Sequence, residues 1–255
     1  MQGKTAIVTG ASKGIGLAVT RALAEAGATV VAGARSSSPE LDALVKEGRV
    51  RWVAADLTSP DAPALLVGAA GDQVEVLVNN VGAAPPRPGG FVTVTDADWA
   101  RSIELNLMTA VRMTRAVLPS MVAAGRGSIV TVSSVNASLP DPLVIDYSAA
   151  KAALTAFSKA LSKEVGGRGV RLNTVSPGPV ATDLWLGGGG VAETVSAATG
   201  AKPEDIAAGA AAQMVTGRFS TPEEVAAVVL FLAGDAATNI TGTDVLIDGG
   251  LTPTW

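Results

Sequence analysis

Short runs of β-branched and apolar residues alternate with longer alanine-rich stretches along this chain, and that alternation leaves few folds open. Residues 5–9 read as a strand, 15–25 as a helix that ends near Gly27, and 29–33, 51–54 and 74–78 as further strands. Strands over 128–133 and 170–175 follow helical stretches at 96–119 and 147–165, and 245–247 closes the series. Strands that are apolar throughout are buried on both faces, which requires a parallel sheet with helices on either side. Right-handed crossovers then predict an α/β doubly wound sheet, the Rossmann fold, with ligands at the carboxyl ends of its strands. No Pro/Ser linker, charge block or fixed-period repeat divides the 255 residues, so residues 1–255 are expected to form a single domain.

Composition then narrows the chemistry. The chain has no cysteine and no histidine. Disulfides, thiol nucleophiles, the usual zinc sites and every imidazole-based triad are thereby excluded. Proton transfer must use Tyr, Lys, Ser or a carboxylate, and no clustered acidic motif points to a metal. The net charge is −4 with scattered Lys and Arg, which speaks against nucleic acid or an anionic membrane as partner. Mean hydropathy is positive, +0.38. Yet the apolar run from Val225 to Ala233 is far below the roughly 20 residues of a spanning helix. With residues 5–9 already a buried strand, no signal peptide fits, and a cytoplasmic location is expected.

Directly after the first strand, Thr9-Gly10-Ala11-Ser12-Lys13-Gly14-Ile15-Gly16 opens the first helix. Gly10 permits the tight turn, Gly14 lets backbone approach a pyrophosphate, and Gly16 lets the helix pack on the sheet. The helix N-terminus presents free N–H groups and a positive dipole end to phosphates. At the end of the second strand, Ala34 stands where an NAD site places a carboxylate for the ribose 2′-hydroxyl. Arg35 follows it, and Lys13 lies in the glycine turn. Two cations and no carboxylate suit a 2′-phosphate, so NADP(H) is expected over NAD(H).

Thr9–Gly16, Asp56-Leu57, Asn79-Asn80-Val81-Gly82, Asn106, Thr131-Val132-Ser133-Ser134 and Tyr147-Ser148-Ala149-Ala150-Lys151 occur in this order. Ser176-Pro177-Gly178-Pro179-Val180-Ala181-Thr182 and segments near 217–225 and 241–250 continue it. The ordered set resembles the short-chain dehydrogenase/reductase family over nearly the whole chain, with Val81 in place of the usual alanine. The ketoacyl-reductase-like, NADP-dependent type is the one it is most similar to. The resemblance implies that Asp56 and Leu57 cap an adenine and that Asn80 and Gly82 line the cofactor site. It places Pro177, Gly178, Val180 and Thr182 at the nicotinamide, and gives Asn106 a helix kink that holds a water relaying protons to Lys151. It also implies a homo-oligomer, a tetramer through the helices at 96–119 and 147–165.

Independently of the family, Tyr147 and Lys151 lie four apart on a predicted helix and project from one face. Tyr147 is the sole tyrosine in the chain. An ammonium beside a phenol favours phenolate and is expected to lower its pKa, which makes the phenol a usable acid or base. Two serines compete for the role of oxyanion donor. Ser134 stands 13 residues before Tyr147, the family's interval, whereas Ser133 reads as a strand-end residue.

Together these residues predict hydride transfer between NADPH and a carbonyl or alcohol, with Tyr147, Lys151, Ser134 and Asn106 as catalytic residues. The substrate is expected to be a small molecule held under a lid at about 183–216, which begins with Gly187–Gly190 as a hinge. Trp185, Met214 and Asn136 are candidates for either pocket or core. Acyl carrier protein is a possible second partner. Arg168 fits such a mouth, but Ser128 stands where better-known reductases carry a cation, and Arg126 is off register. The rival readings are an NAD-linked alcohol dehydrogenase of the same family, a sugar-nucleotide epimerase and a non-catalytic NADP-binding sensor. Arg35→Asp is expected to reverse the preference from NADPH to NADH, as measured by the two dissociation constants in wild type and variant.

Overall fold

The computed structural model describes residues 1–71 and 73–253. Seven strands, β1 (Thr5–Thr9), β2 (Thr29–Ala34), β3 (Val50–Ala54), β4 (Val76–Asn79), β5 (Gly127–Val132), β6 (Val170–Pro177) and β7 (Asp244–Ile247), form one sheet. Every pairing is parallel, in the order β3-β2-β1-β4-β5-β6-β7. The order reverses beside β1, and a crevice therefore opens between the carboxyl ends of β1 and β4. This is a Rossmann-like α/β fold.

The strand pleat divides apolar residues between two cores. Ala6 and Val8 of β1, Val30 and Ala32 of β2 and Val130 of β5 face one layer. There they meet α1 (Gly14–Glu25), α2 (Pro39–Lys46) and α10 (Pro222–Ala233). Ile7, Val31, Leu77 and Ile129 face the other, against α3 (Ala62–Ala70), α5 (Thr109–Ala124) and the end of α6 (Ile145–Val165). Each fully buried Leu, Ile or Val contributes roughly 1.5–3 kcal/mol, so both layers are strongly held to the sheet. Among the described residues no helix is long and apolar enough to cross a membrane.

Several boundaries differ from those the sequence predicts. β4 begins at Val76, since Val74 is buried but lies ahead of the ladder. The stretch predicted as one helix over 96–119 is α4 (Asp96–Ile103), a π-helical turn (Glu104–Met108) and α5. Pro119 lies inside α5 instead of ending it, because burial of Met121 beyond it holds the last turn on the sheet. α2 and α3 escape the sequence pattern. α2 is only two turns long, capped by Ser38 accepting from the Leu41 N–H at 3.1 Å. α3, Ala-Pro-Ala-Leu-Leu-Val-Gly-Ala-Ala, has no polar face from which to read a period.

Beyond β6 the chain runs through α7 (Asp183–Leu186), α8 (Val191–Thr199) and α9 (Pro203–Ala212). Gly187 and Gly190, expected to act as a loose hinge, are packed. A side chain on either would come within 2.8 Å of the Asp183 carbonyl oxygen. A side chain on Gly188 or Gly189 would meet nothing within 4 Å.

Gly16 decides how closely α1 approaches the sheet. A Cβ there would lie 2.1 Å from the Gly10 carbonyl oxygen and 2.5 Å from Asn80 Nδ2. Gly16→Ala is expected to cost about 1–3 kcal/mol, seen as a lower urea midpoint at unchanged slope. Gly68→Ala on α3, which meets nothing within 4 Å, is expected to be neutral or stabilising by about 0.5–1 kcal/mol.

Candidate active site

A continuous cleft of about 1220 Å³ follows the carboxyl edge of the sheet, from Arg35 and Asp56 to Trp185 and Gln213. Single ligand pockets are commonly about 300–1000 Å³, so this one has room for a dinucleotide and a small second molecule. The sequence-predicted cofactor residues line it, save Gly16, which works behind the wall as described.

The glycine turn has the conformation its residues suggest. Gly10 and Gly14 have φ of +66° and +53°, a region L side chains avoid. No side chain caps α1 and no acidic residue sits in its first turn. The N–H groups of Gly14, Ile15 and Gly16 are therefore free for an anionic group, with Ser12 and Lys13 beside them. Thr182 packs over the turn, its Cγ2 3.2 Å from where a Gly14 Cβ would stand. Asn80 braces the turn from below, its Nδ2 donating to the Thr9 and Gly10 carbonyls at 3.0 and 3.2 Å.

At the far end of the cleft β2 stops at Ala34, and Arg35 emerges exposed. Ser36, Ser37, Ser38 and Arg21, which the sequence does not single out, line the same cleft. Arg21 lies two helical turns from Gly14, and that spacing is the signal that could have found it. Asp56 keeps its carboxyl below the usual range through bonds from the Thr58 hydroxyl and N–H, with Arg35 adding to the effect. Leu57 beside it is buried. Lys13 faces Asp183 at 3.5 Å, with both side chains largely exposed, so this pair holds weakly. The donor groups fit a phosphorylated dinucleotide: free helix N–H groups, glycines where a side chain would intrude, and cations at the ribose end.

The reactive side chains meet in the middle of the cleft. α6 brings Tyr147 and Lys151 to one face, with the ammonium 5.6 Å from the phenol ring centroid. Lys151 Nζ donates to the carbonyl of Val132, the last residue of β5, at 2.9 Å. A Cβ at Gly82 would come within 3.4 Å of that nitrogen and 2.9 Å of Asn106 Oδ1, so glycine keeps this space open. The geometry separates the two serines. Ser133 is engaged with α6, 2.7 Å from the Thr155 hydroxyl and 3.4 Å from the Lys151 carbonyl. Ser134 lines the cleft, accepts the Asn136 N–H at 3.2 Å, and its hydroxyl faces the phenol.

Asn106 sits in the π-helical turn, buried behind the cleft wall. Its amide accepts from the Ala83 N–H at 3.0 Å and donates to the Ala83 and Ser102 carbonyls at 3.0 and 3.1 Å. It thus pins the loop after β4 to the helix pair. Pro177 ends β6, Gly178 packs against Asp248, and Val180 bridges to Ser220. Met214 belongs to the interior, whereas Trp185 and Asn136 line the cleft.

The electrostatics correct one expectation. Burial pushes the Tyr147 phenol above its ordinary value, and the neighbouring Ser134 hydroxyl only partly offsets this. Burial also lowers Lys151 to about 8. The ammonium lies 5.6 Å from the centre of the phenol ring. Loss of water around the phenol is thus the larger influence on it. Among the described residues no cluster of His, Cys, Asp or Glu could hold a metal ion.

A family model described as Enoyl-(Acyl carrier protein) reductase matches residues 10–252. The chain belongs to the short-chain dehydrogenase/reductase family. This member is an oxidoreductase that acts on CH–OH groups with NAD(P). It is 37% identical to the 3-oxoacyl-[acyl-carrier-protein] reductase FabG of Thermotoga maritima, over 98% of both chains. It is also 37% identical to a D-threitol dehydrogenase of Mycolicibacterium smegmatis, over 99% of this chain and 94% of the other. The L-sorbose reductase of Gluconobacter frateurii, solved with NADPH and L-sorbose, superposes with a TM-score of 0.90 at 31% identity, covering 100% of this chain and 98% of the other.

With Lys151 near 8, this oxidoreductase is expected to lose its ammonium as pH rises through that value. The charged form donates more strongly than the neutral amine to a hydroxyl in the cleft, so kcat/KM for the nicotinamide cofactor should be level below pH 8 and fall above it. Lys151→Arg, which keeps its charge, should remove that limb while lowering the plateau.

Proposed function

We propose that this enzyme reduces a small ketone to an alcohol with NADPH, reversibly, using Tyr147 as the proton donor. The observation that carries the reading is the convergence of Tyr147, Ser134 and Lys151 on one stretch of the cleft, next to the open space at Gly82. NADPH, when bound, supplies the hydride. Tyr147, a phenol and so protonated at neutral pH, gives its proton to the carbonyl oxygen. Ser134 donates to the same oxygen as charge develops there. Lys151 holds the ribose, and Asn106, whose Oδ1 borders the same space at Gly82, holds a water that relays protons to Lys151.

NADPH is favoured over NADH by Arg35, Arg21 and the run of three serines beyond β2, and the sorbose reductase with NADPH supports the choice. A small substrate is favoured over an acyl carrier protein. Arg126 is paired with Glu75 and Arg168 with Glu164, both at 3.4 Å, while Ser128 is buried in β5. These two arginines are each already beside a carboxylate, which weakens the case for a basic rim facing an acidic protein. Asn136, Asp141, Trp185 and Gln213 give the substrate end a polar and aromatic lining suited to a hydroxylated ketone. The segment 183–216 closes that end as a lid, in an enzyme of one domain that works as a homo-oligomer in the cytoplasm.

The test is NADPH oxidation with L-sorbose, cyclohexanone, ethyl acetoacetate and acetoacetyl-CoA. Turnover of a small ketone is expected. Tyr147→Phe should lower kcat by about 10²–10⁴-fold at unchanged NADPH affinity. Full activity in that variant, or no turnover with any of the four, overturns the reading.

A further inference from the structure

We infer that Arg87 is a positioning residue for Tyr147: by gripping the buried carboxylate that precedes the phenol in the chain, it sets where the hydroxyl meets the substrate. The inference rests on the reading of Tyr147 as the proton donor.

Asp146 is fully buried, although it stands in the first turn of a helix whose neighbouring residue faces the cleft. Arg87 Nη2 donates to its Oδ2 at 2.7 Å and Nε to its Oδ1 at 3.3 Å, a two-pronged grip that fixes direction as well as distance. The third guanidinium nitrogen reaches Asp98 Oδ1 at 3.3 Å, and Asp98 is itself held in the capping box of α4 by Thr95. The backbone N–H of Arg87 donates to the Leu143 carbonyl at 2.7 Å. One residue thus ties the approach to α6, its first turn and the start of α4. The two carboxylates raise the guanidinium above its already high pKa, so the charge is permanent.

The placement points beyond simple stability. α6 has no side-chain cap of its own. Successive helical residues are turned by about 100°, so a grip on residue 146 fixes the rotation of residue 147. The loop that carries Arg87 is pinned at its other end by Asn106 on Ala83, and Ala83, Ala84, Leu143 and Val144 line the cleft around the phenol. The network therefore spans the wall that a substrate would touch.

Arg87→Lys keeps the charge but cannot fork, and Asp146→Asn keeps the shape but not the charge. Both are compared with wild type as full-length chains, on whichever of the four ketones is turned over. Arg87→Lys is expected to lower kcat by about 10- to 100-fold, with NADPH Kd and ketone KM within about two-fold. The solvent deuterium isotope effect on kcat should rise as proton donation becomes limiting. Asp146→Asn should show the same pattern more weakly, and serves should Arg87→Lys fail to fold. Unchanged kcat, an unchanged isotope effect, or parallel losses in kcat, Kd and KM overturn the inference. If Tyr147→Phe is inert while Arg87→Lys behaves as wild type, only the positioning role fails. If Tyr147→Phe is active, the underlying reading fails and this inference with it.

Discussion

The carbonyl of Val132 protrudes from the carboxyl edge of a parallel sheet, and it takes the Lys151 ammonium at 2.9 Å. An ammonium withdrawn from water costs several kcal/mol unless something receives it. Here one strand-end carbonyl does so, and the remaining desolvation appears as a pKa near 8. The arrangement holds only if α6 lies against β5 and β6 at a fixed height. Ser133 on the Thr155 hydroxyl and the Lys151 carbonyl supplies that second anchor. The chemistry of the site is therefore tied to the packing of one helix on one sheet edge.

Around this centre the loops are held by side-chain amides and one guanidinium in place of hydrophobic contacts. Asn80 ties the end of β4 to the glycine turn, Asn106 ties Ala83 to the π-helical turn, and Arg87 ties the same loop to α6. Polar ties suit a wall that must stay open to solvent and ligand, since buried apolar contacts would close it. They also depend on direction, so they fix the orientation of the loops they join. The lining beyond Thr182 is different in kind. It is built from short helices with few buried residues, joined by a turn in which a side chain on Gly188 or Gly189 would meet open space. Few buried contacts are the usual mark of a segment that opens at low cost.

Much of this is legible in the residues before any coordinates. The β-branched runs find all seven strands to within two residues at each boundary; for the five inner strands this is because burial on both faces demands apolar residues throughout. The glycine turn is legible because φ above zero and close backbone approach select glycine. The Tyr147–Lys151 spacing is legible because four residues make one helical turn. α2 and α3 are not, one for its shortness and the other for its lack of a polar face. The choice between Ser133 and Ser134 rests on spacing until Thr155, distant in sequence, is seen to occupy the first of them.

The sequence by itself determined the sheet, the glycine turn and the pairing of Tyr147 with Lys151 on one helix face, because each depends on local conformation or on a period of a few residues. The tertiary structure alone decided the state of those groups. Whether an ammonium lowers a phenol's pKa depends on where it stands relative to the hydroxyl and how much water both have lost. Neither is a property of residues four apart on a helix. Nor could the chain show that Arg87 would reach Asp146, since a pair separated by 59 residues is joined only when two loops and a helix pack around the same cleft.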